Sequence, residues 1–287
     1  MERVSLKHIG FAIVGLKIIL VGYLLITVLP TVNFNRIHID NSFYGFILAG
    51  FIAQMIDGAL GMAYGVSCTT LLLSLGISPR ISTSAVHTAE VFTTGVSGLS
   101  HLTLNNIDKK LFFKIAFTGV LGAMIGAYAI SELFDGKIIK PYISAYVGVL
   151  GAIILYKGIK NKTKEFTKVK WPRLLAFCGG FLDAVGGGGW GPIVSSNIIN
   201  QGKDPKQTIG TVNTAEFFVA FFSTGVFLFF VGVENWQVVL GLIIGGIVAA
   251  PIGAYASTRI NKKALMIIVG LVLIIISSIT IYKAWLA

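Results

Sequence analysis

A long apolar run in the second half of the chain, Leu174–Asn200, contains residues that do not suit an unbroken transmembrane helix. In its middle lie the carboxylate of Asp183, four consecutive glycines from Gly186 to Gly189, and Pro192. Glycine is costly in helix interiors and frees the backbone to turn, while proline suits the first position of a restarted helix. The run is therefore predicted to form two half-helices joined by a glycine break, with the aspartate at the break. Such breaks are tolerated at membrane depth only inside protein or beside water, and they point to a transporter's binding site.

The overall composition also places the chain in a membrane. Of its 287 residues, 55% are hydrophobic and only 12% are charged, whereas about a quarter of the residues in globular proteins are charged. The net charge of +11 comes from basic residues in short loops, which is the positive-inside pattern rather than a nucleic-acid surface. The two cysteines, Cys68 and Cys178, lie in apolar segments and give no disulfide or metal framework. We expect an all-α, multi-pass protein of the cell (plasma or inner) membrane that binds no nucleic acid.

The first apolar run, Ile9–Pro30, is interrupted only by Lys17. It is too long for the apolar core of a signal peptide, and no small-x-small cleavage site follows it. Residues 1–30 are therefore expected to be a retained N-terminal transmembrane span.

The rest of the chain repeats itself. A strongly basic loop, residues 160–173, separates a first half (43–159) from a second half (174–285). Adding 126 to a first-half residue number gives the same residue type at many positions, including Asp57/Asp183, Gly61/Gly187, Gly65/Gly191, Gly76/Gly202, Pro79/Pro205 and Glu90/Glu216. Halves that share an intramembrane Asp and Glu at one spacing indicate an internal duplication within a single membrane domain.

Each half opens with a broken run, Phe43–Leu75 or Leu174–Asn200. A continuous helix over the first of them would be about 50 Å long, too long for a hydrocarbon core of about 30 Å. If both runs are re-entrant, seventeen basic residues lie in the cytoplasm and five outside, and if both cross, the split is twelve to ten. The positive-inside rule favours the re-entrant arrangement with the basic loop in the cytoplasm. Each half then has three full crossings, which inverts the two repeats relative to each other.

The candidate functional residues are the intramembrane carboxylates and their neighbours. A charge at mid-bilayer costs about 2.5–3.5 kcal/mol on insertion scales, so these acids must be protonated, paired or facing a wet cavity. Glu90 belongs to a polar stripe at helical spacing that suits a permeation route or a proton relay; its members are Thr83, His87, Glu90, Thr94, Ser97 and His101. The predicted substrate- and ion-binding residues are Asp57, Gly61, Gly65, His87, Glu90, Asp183, Gly187, Gly188, Gly189, Trp190, Gly191, Asn213 and Glu216.

Plainer explanations compete for several of these positions. Asp57 and Asp183 can be N-caps of the restarted half-helices, and the glycine pairs at i and i+4 can serve close helix packing. His87 can be a core histidine bonded to Glu90 one turn along, and Lys17 can either snorkel or neutralise a carboxylate. The sequence has no Walker lysine, metal-ligand spacing or nucleophile motif. We therefore expect no metal, no cofactor and no enzyme or ATP-driven pump.

After each glycine-rich break, the chain continues through Leu-Gly-Ile-Ser-Pro (75–79) or Gln-Gly-Lys-Asp-Pro (201–205). In these features residues 43–285 resemble the sulfite exporter TauE/SafE family of permeases. The resemblance implies a secondary transporter of small sulfur-containing anions, such as sulfite or sulfonates, coupled to protons. The first break lacks the dense glycine run usual in the family, and the His-Thr-Ala-Glu (87–90) and Asn-Thr-Ala-Glu (213–216) motifs are not general to it, which indicates a distinct branch.

The residues themselves are compatible with either an anionic or a cationic substrate. A half-helix that starts near Gly191 and Pro192 points free N–H groups and a positive dipole end at the centre, which suits an anion. The four carboxylates suit a cation unless they are protonated, so a cation carrier or channel is the alternative. A protonated Glu90 or Glu216 does not repel an anion, so proton and anion can move together. The richer stripe around Glu90 predicts that it matters more for proton movement than Glu216. A membrane scaffold that transports nothing would not need two matched Asp/Glu pairs.

Overall fold

The computed structural model describes residues 6–28, 41–60, 62–160, 169–232, 236–256 and 262–286. Every regular element in these ranges is helical, which confirms the predicted all-α membrane architecture. The helices are α1 Leu6–Val28, α2 Ser42–Leu60, α3 Tyr64–Ser74, α4 Pro79–Thr103, α5 Lys109–Tyr128, α6 Gly136–Ile159, α7 Pro172–Gly186, α8 Ser196–Asn200, α9 Pro205–Phe230, α10 Trp236–Ala256 and α11 Lys262–Leu286, with π-helical turns at Ala129–Leu133 and Trp190–Ser195. Within the described ranges, five segments are long and apolar enough to span a membrane: Leu6–Thr27, Lys109–Leu133, Gly136–Ile159, Gln207–Phe230 and Met266–Lys283.

The turns before α4 and α9 have the same construction. Gly76 and Gly202 both adopt φ +88, a left-handed conformation that favours glycine. Pro79 and Pro205 then open the two helices, and a side-chain oxygen of the preceding residue, Ser78 or Asp204, accepts a hydrogen bond from a backbone N–H of the first turn. Proline at the first helical position after a Ser or Asp cap is a favoured start. Two sequence matches at the predicted spacing thus correspond to one repeated backbone structure.

Both broken runs fold back on themselves. In the first run, a Cβ on Gly45, near the start of α2, would lie 3.7 Å from Leu75 Cδ1 at the end of α3. In the second run, the Lys170 N–H before α7 donates to Gln201 Oε1 after α8, at 2.5 Å. The start and the end of each run therefore lie side by side, which is the geometry of a re-entrant hairpin.

The second break differs in detail from the prediction. α7 continues through Gly186, so Asp183 lies in its last turn rather than at the break. The helix restarts at Trp190 with a π-helical turn, which makes Pro192 its third residue instead of its first. The Pro192 carbonyl accepts hydrogen bonds from Ser196 Oγ and from Lys157 Nζ of α6. These side chains satisfy a carbonyl in the wide first turn of the restarted helix.

Glycines allow the two hairpins to pack tightly against the neighbouring full-length helices. A Cβ on Gly122 of α5 would lie 2.1 Å from the Phe177 carbonyl oxygen of α7. In the other pair of helices, a Cβ on Gly245 of α10 would lie 2.0 Å from the Ile47 carbonyl oxygen of α2. Small residues at helix interfaces are the usual means of close approach in membranes. Each hairpin is thus held by a helix of the other half, and the breaks meet in the middle.

Candidate functional site

The two helix breaks touch each other at the centre of the molecule. A Cβ on Gly188 would lie 2.2 Å from Val66 N, and one on Gly65 would lie 3.0 Å from both the Gly187 carbonyl oxygen and Gly188 Cα. A Cβ on Gly191 would lie 2.9 Å from Met62 Cβ. The predicted glycines therefore let two backbones cross, which is the packing role that the sequence left open. Gly61, the remaining predicted glycine of the first break, lies outside the described residues.

The two aspartates occupy equivalent places beside the breaks. Asp183 Oδ1 accepts a hydrogen bond from the Trp190 N–H at 2.9 Å. The Asp57 carboxylate accepts one from the Tyr64 N–H. Each aspartate projects from the last turn of one half-helix and binds the first N–H of the next, so it acts as a cap although it is not the N-cap residue. In each half, one backbone N–H that could otherwise bind an anion therefore already donates to an aspartate.

His87 faces the other repeat rather than Glu90. Its Nε2 lies 3.2 Å from Asp183 Oδ2, and its Nδ1 lies 2.9 Å from the Thr83 carbonyl oxygen on its own helix. The sequence prediction of a bond to Glu90 does not match this geometry. The carbonyl four residues earlier on α4 engages one ring nitrogen, and the ring then points its second nitrogen across to α7.

Glu90 lies directly above the crossing of the breaks. A Cβ on Gly65 would lie 2.9 Å from Glu90 Oε1, while Oε2 is buried without a hydrogen-bond partner among the described residues. Donor atoms of His87, Glu90 and Asp183 all lie within 4.8 Å of one another. These three residues, called here the buried triad, bring a nitrogen and two carboxylate oxygens together in a buried site.

The residues that correspond to these in the other repeat are Asn213, Glu216 and Asp57, called here the half-exposed triad. Each of them is partly accessible, whereas each member of the buried triad is buried. Asn213 Nδ2 donates to Ser97 Oγ of α4 at 3.2 Å. Glu216 interacts electrostatically with Asp183 and Asp57. The structure thus brings both predicted Asp/Glu pairs close to one another, but Glu90 and Asp183 are buried whereas Asp57 and Glu216 are partly accessible.

Trp190, the one aromatic residue predicted for the site, anchors the second break. It is fully buried, and its Nε1 donates to the Val212 carbonyl oxygen of α9 at 3.2 Å. A Cβ on Gly119 of α5 would lie 2.5 Å from its ring. The indole therefore fixes the position of the restarted helix, while its backbone N–H binds Asp183.

Two residues that contact the second break were not predicted from the sequence. Thr69 Oγ1 of α3 donates to the Gly187 carbonyl oxygen, and a Cβ on Gly189 would lie 2.1 Å from the Tyr146 hydroxyl of α6. Thr69 follows the first break closely and was a reasonable candidate on that ground. Tyr146 is one of three tyrosines in α6, with Tyr142 and Tyr156, and no pattern in the sequence singles it out.

Lys17 does not neutralise a carboxylate in this structure. Its Nζ donates to the Phe92 carbonyl oxygen at 3.3 Å and lies 5.8 Å from the centre of the Phe92 ring. A Cβ on Gly95 would lie 2.9 Å from its Cδ. Within the described part of the chain, the acids of the two triads have no lysine or arginine ion-pair partner.

The sequence of this chain matches a known family of proteins. Residues 46–279 match the family described as sulfite exporter TauE/SafE. The chain is 39% identical to the probable membrane transporter protein YtnM of Bacillus subtilis (strain 168), over 84% of this chain and 83% of the relative. It is 22% identical to the probable membrane transporter protein YunE of the same organism, over 84% of this chain and 98% of the relative. No solved structure matches the chain.

Proposed function

The chain belongs to the sulfite exporter TauE/SafE family and is a multi-pass membrane transporter of the cell membrane, and we propose both its substrate class and its coupling ion. It carries small anions that contain sulfur, such as sulfite or sulfonates, and protons accompany them. The observation that carries the proposal is the crossing of the two breaks beside the two triads. Broken helices that meet at mid-membrane are where secondary transporters bind their substrates.

The acids at the crossing explain why protons take part. Asp57 and Asp183 occupy N–H groups at the two helix starts, and the Glu90 carboxyl lies at the same crossing. Burying several uncompensated negative charges in a membrane is costly, and a further anion adds repulsion. Protonation removes both costs, because a neutral carboxyl group does not repel an anion and can donate a hydrogen bond to it. Proton and anion then enter the centre together.

A cation carrier or channel is the second candidate function. It is favoured by one observation, the convergence of His87, Glu90 and Asp183 without a lysine or arginine partner among the described residues. Deprotonated, this group suits a cation instead of an anion. The two functions therefore differ in what neutralises the same carboxylates.

Transport into proteoliposomes separates the two functions. Purified protein should move sulfite, a sulfonate or thiosulfate without ATP, and an imposed pH gradient should drive accumulation. Glu90→Gln imitates the protonated carboxyl, so it should keep substrate exchange but lose accumulation driven by pH. Glu216→Gln should have a smaller effect. Movement of a monovalent or divalent cation, with none of the three anions transported, establishes the alternative and contradicts the proposal.

The membrane topology is proposed on the charge distribution. Residues 43–159 and 174–285 form two inverted repeats within one domain, after an N-terminal span at 1–30. The chain start and the loop 160–173 then face the cytoplasm, and the C-terminus faces outward. A reporter fused at the C-terminus should be active only when it acts outside the cytoplasm. A reporter that is active only in the cytoplasm contradicts the odd number of crossings.

A further inference from the structure

The pair His87–Asp183 is built from both repeats. His87 belongs to α4 of the first repeat and Asp183 to α7 of the second, and their exposed fractions are 0% and 2%. Nε2 and Oδ2 lie 3.2 Å apart, and neither atom makes a hydrogen bond among the described residues. The state of this contact therefore depends on how many protons lie between these two atoms.

The tautomer of His87 follows from its surroundings. Nδ1 faces the Thr83 carbonyl oxygen at 2.9 Å, and a carbonyl can only accept a hydrogen bond. The Thr83 hydroxyl gives its hydrogen to the Ala184 carbonyl oxygen at 2.7 Å, so toward the ring, 3.4 Å away, this oxygen can only accept as well. Nδ1 must carry a hydrogen to satisfy both neighbours. In a neutral ring, Nε2 then carries none.

Asp183 presents a matching acceptor. Its Oδ1 takes the Trp190 N–H at 2.9 Å, which leaves Oδ2 to face His87 Nε2. A neutral ring and an ionised carboxylate would place two lone pairs against each other in a buried site, which is unfavourable. One added proton makes a hydrogen bond between them. The bond holds whether that proton resides on the imidazole, as an ion pair, or on the carboxyl group.

Three titratable groups of other residues interact electrostatically with Asp183, and none of them is basic: Glu90 from α4, Tyr146 from α6 and Glu216 from α9. The Phe227 ring of α9 covers the imidazole at 5.5 Å between ring centres. The described residues supply no lysine or arginine to this pair, so a mobile cation has to balance its charge, and the smallest is a proton.

We propose that His87 and Asp183 together form a site for one proton, which bridges the two repeats and is the coupling-ion site of the transporter. The coupling role rests on the proposed function. In the occupied state, the proton joins Nε2 to Oδ2 and holds α4 against α7. When it leaves to water, an uncharged imidazole and an anionic carboxylate remain, and the contact between the repeats loses its hydrogen bond. No other bond is made or broken.

The site exists once per chain because the repeat-related position is Asn213. An amide does not titrate in the physiological range, and Asn213 donates to Ser97 Oγ instead. The two halves share their Asp and Glu residues but not the imidazole. We therefore expect one proton from this site for each transport cycle.

The proton itself can be observed without transport. Nitrogen-15 NMR of histidine-labelled protein in detergent, assigned with His87→Asn, should show Nδ1 protonated at every pH. The His87 signal should also report one proton gained in a single step at the pair. In Asp183→Asn, the amide can accept from the Trp190 N–H and donate to Nε2, so the fold is kept while that step disappears or moves. An Nδ1 without hydrogen, or an unchanged titration in Asp183→Asn, overturns the site.

The coupling role needs a second measurement. Proteoliposomes with an internal pH dye give the number of protons that enter with each sulfite ion. In the sulfite transport that Asp183→Asn retains, about one proton fewer should enter with each sulfite ion, whereas Asp135→Asn, an Asp-to-Asn change at the cap of α6, should keep the wild-type ratio. A wild-type ratio in Asp183→Asn overturns the coupling role even if NMR shows the proton.

Two further outcomes are distinguishable. If the wild-type protein moves no sulfite, the proposed function fails, while the NMR titration still decides whether the pair holds a proton. If one divalent metal ion per chain copurifies, is removed by a chelator and is absent in Asp183→Asn, the buried triad holds a metal ion. That result overturns the proton site.

Discussion

The buried triad and the half-exposed triad occupy equivalent positions in the two repeats but are not in the same state. All three members of the first are buried, and all three members of the second are partly accessible. One chemical difference accompanies this asymmetry, since His87 corresponds to Asn213. The two repeats share their Asp and Glu residues. They differ in the imidazole, which only the first repeat carries at this position and on which the proposed proton site depends.

The unequal exposure has a direct interpretation in an inverted repeat. If the repeats exchange conformations, the half-exposed triad becomes buried and the buried triad becomes accessible. The structure then represents one of two related states, in which Asp57 and Glu216 are the more accessible acids. In such an exchange the two breaks stay in contact in both states. A substitution that separates the breaks should therefore disturb both repeats at once.

Gly188→Ala should have the largest effect, because it separates the two repeats at their crossing. The added Cβ would lie 2.2 Å from Val66 N and 2.6 Å from the Gly65 carbonyl carbon, and backbone cannot move aside as a side chain can. Overpacking of this kind costs roughly 1–3 kcal/mol or more. We expect a lower midpoint of thermal unfolding and loss of transport, measured on purified protein and in proteoliposomes.

Gly225→Ala is the matched control for this substitution. Gly225 lies in α9, and no atom lies within 4 Å of the position where its Cβ would be. Alanine is favoured over glycine within helices by about 0.5–1 kcal/mol. The control should therefore be neutral or slightly stabilising. Equal unfolding midpoints and equal transport in the two variants would show that the breaks are not in tight contact.

Much of the fold was predictable because hydrophobicity and glycine content dictate it. The apolar runs gave the helices, and the repeated Gly76/Gly202 and Pro79/Pro205 pairs marked turns that the structure builds alike. The positions of the helix restarts were less predictable, since a π-helical turn at Trp190 places Pro192 third. Local sequence does not determine such a turn, because side chains from other helices satisfy its carbonyls.

The candidate site was predictable in its members but not in its partners. Repetition singled out both Asp/Glu pairs, yet the contact of His87 with Asp183 depends on how α4 meets α7 in space. Spacing along one helix suggested Glu90 as the partner of His87 because residues three apart share a face. Tyr146 was missed for a related reason, since its role comes only from its contact with Gly186 and Gly189.

Asn213→His should make the half-exposed triad resemble the buried one. By the repeat relation, the new imidazole would face Asp57 as His87 faces Asp183. We expect a second proton-binding step in the histidine NMR titration and a steeper pH dependence of transport, with a second proton moved per substrate. The hydrogen bond to Ser97 is lost, so the unfolding midpoint must be measured alongside. A correctly folded variant with an unchanged titration would show that the two triads are not equivalent in space.

Ala63→Gly tests a difference between the breaks themselves. Ala63 has φ 122 and ψ 9, a conformation that residues with a Cβ rarely adopt, and such strain costs on the order of 1–3 kcal/mol. Glycine relieves this strain but enlarges the unfolded ensemble, so we expect a net gain of about 1 kcal/mol in the free energy of unfolding. Ala152→Gly, at an exposed position in α6, should instead lose about 0.5–1 kcal/mol. A loss of stability in both variants contradicts the strain at the first break.

The smallest effect is expected at an ion pair that only one pair of loops possesses. Asp108, in the loop before α5, accepts from Lys203 Nζ and from the Leu111 N–H, both at 3.0 Å. The position related to Lys203 is Ile77, so the other half lacks a counterpart. Burial alone raises the pKa of Asp108, but these hydrogen bonds and the lysine charge outweigh it and lower the pKa below its usual value. Because the folded pKa is the lower one, the stabilisation is complete above the unfolded pKa of about 3.9 and is lost as the pH falls through the folded value.

Asp108→Asn keeps a capping oxygen and should cost less than about 1 kcal/mol at neutral pH, because the pair is partly exposed. Its unfolding midpoint should fall less than that of the wild type when the pH is lowered from 5 to 3 (roughly the range around the unfolded pKa). A double-mutant cycle with Lys203→Gln isolates the pair, and a coupling energy that stays constant across this pH range would assign the acid sensitivity to other carboxylates.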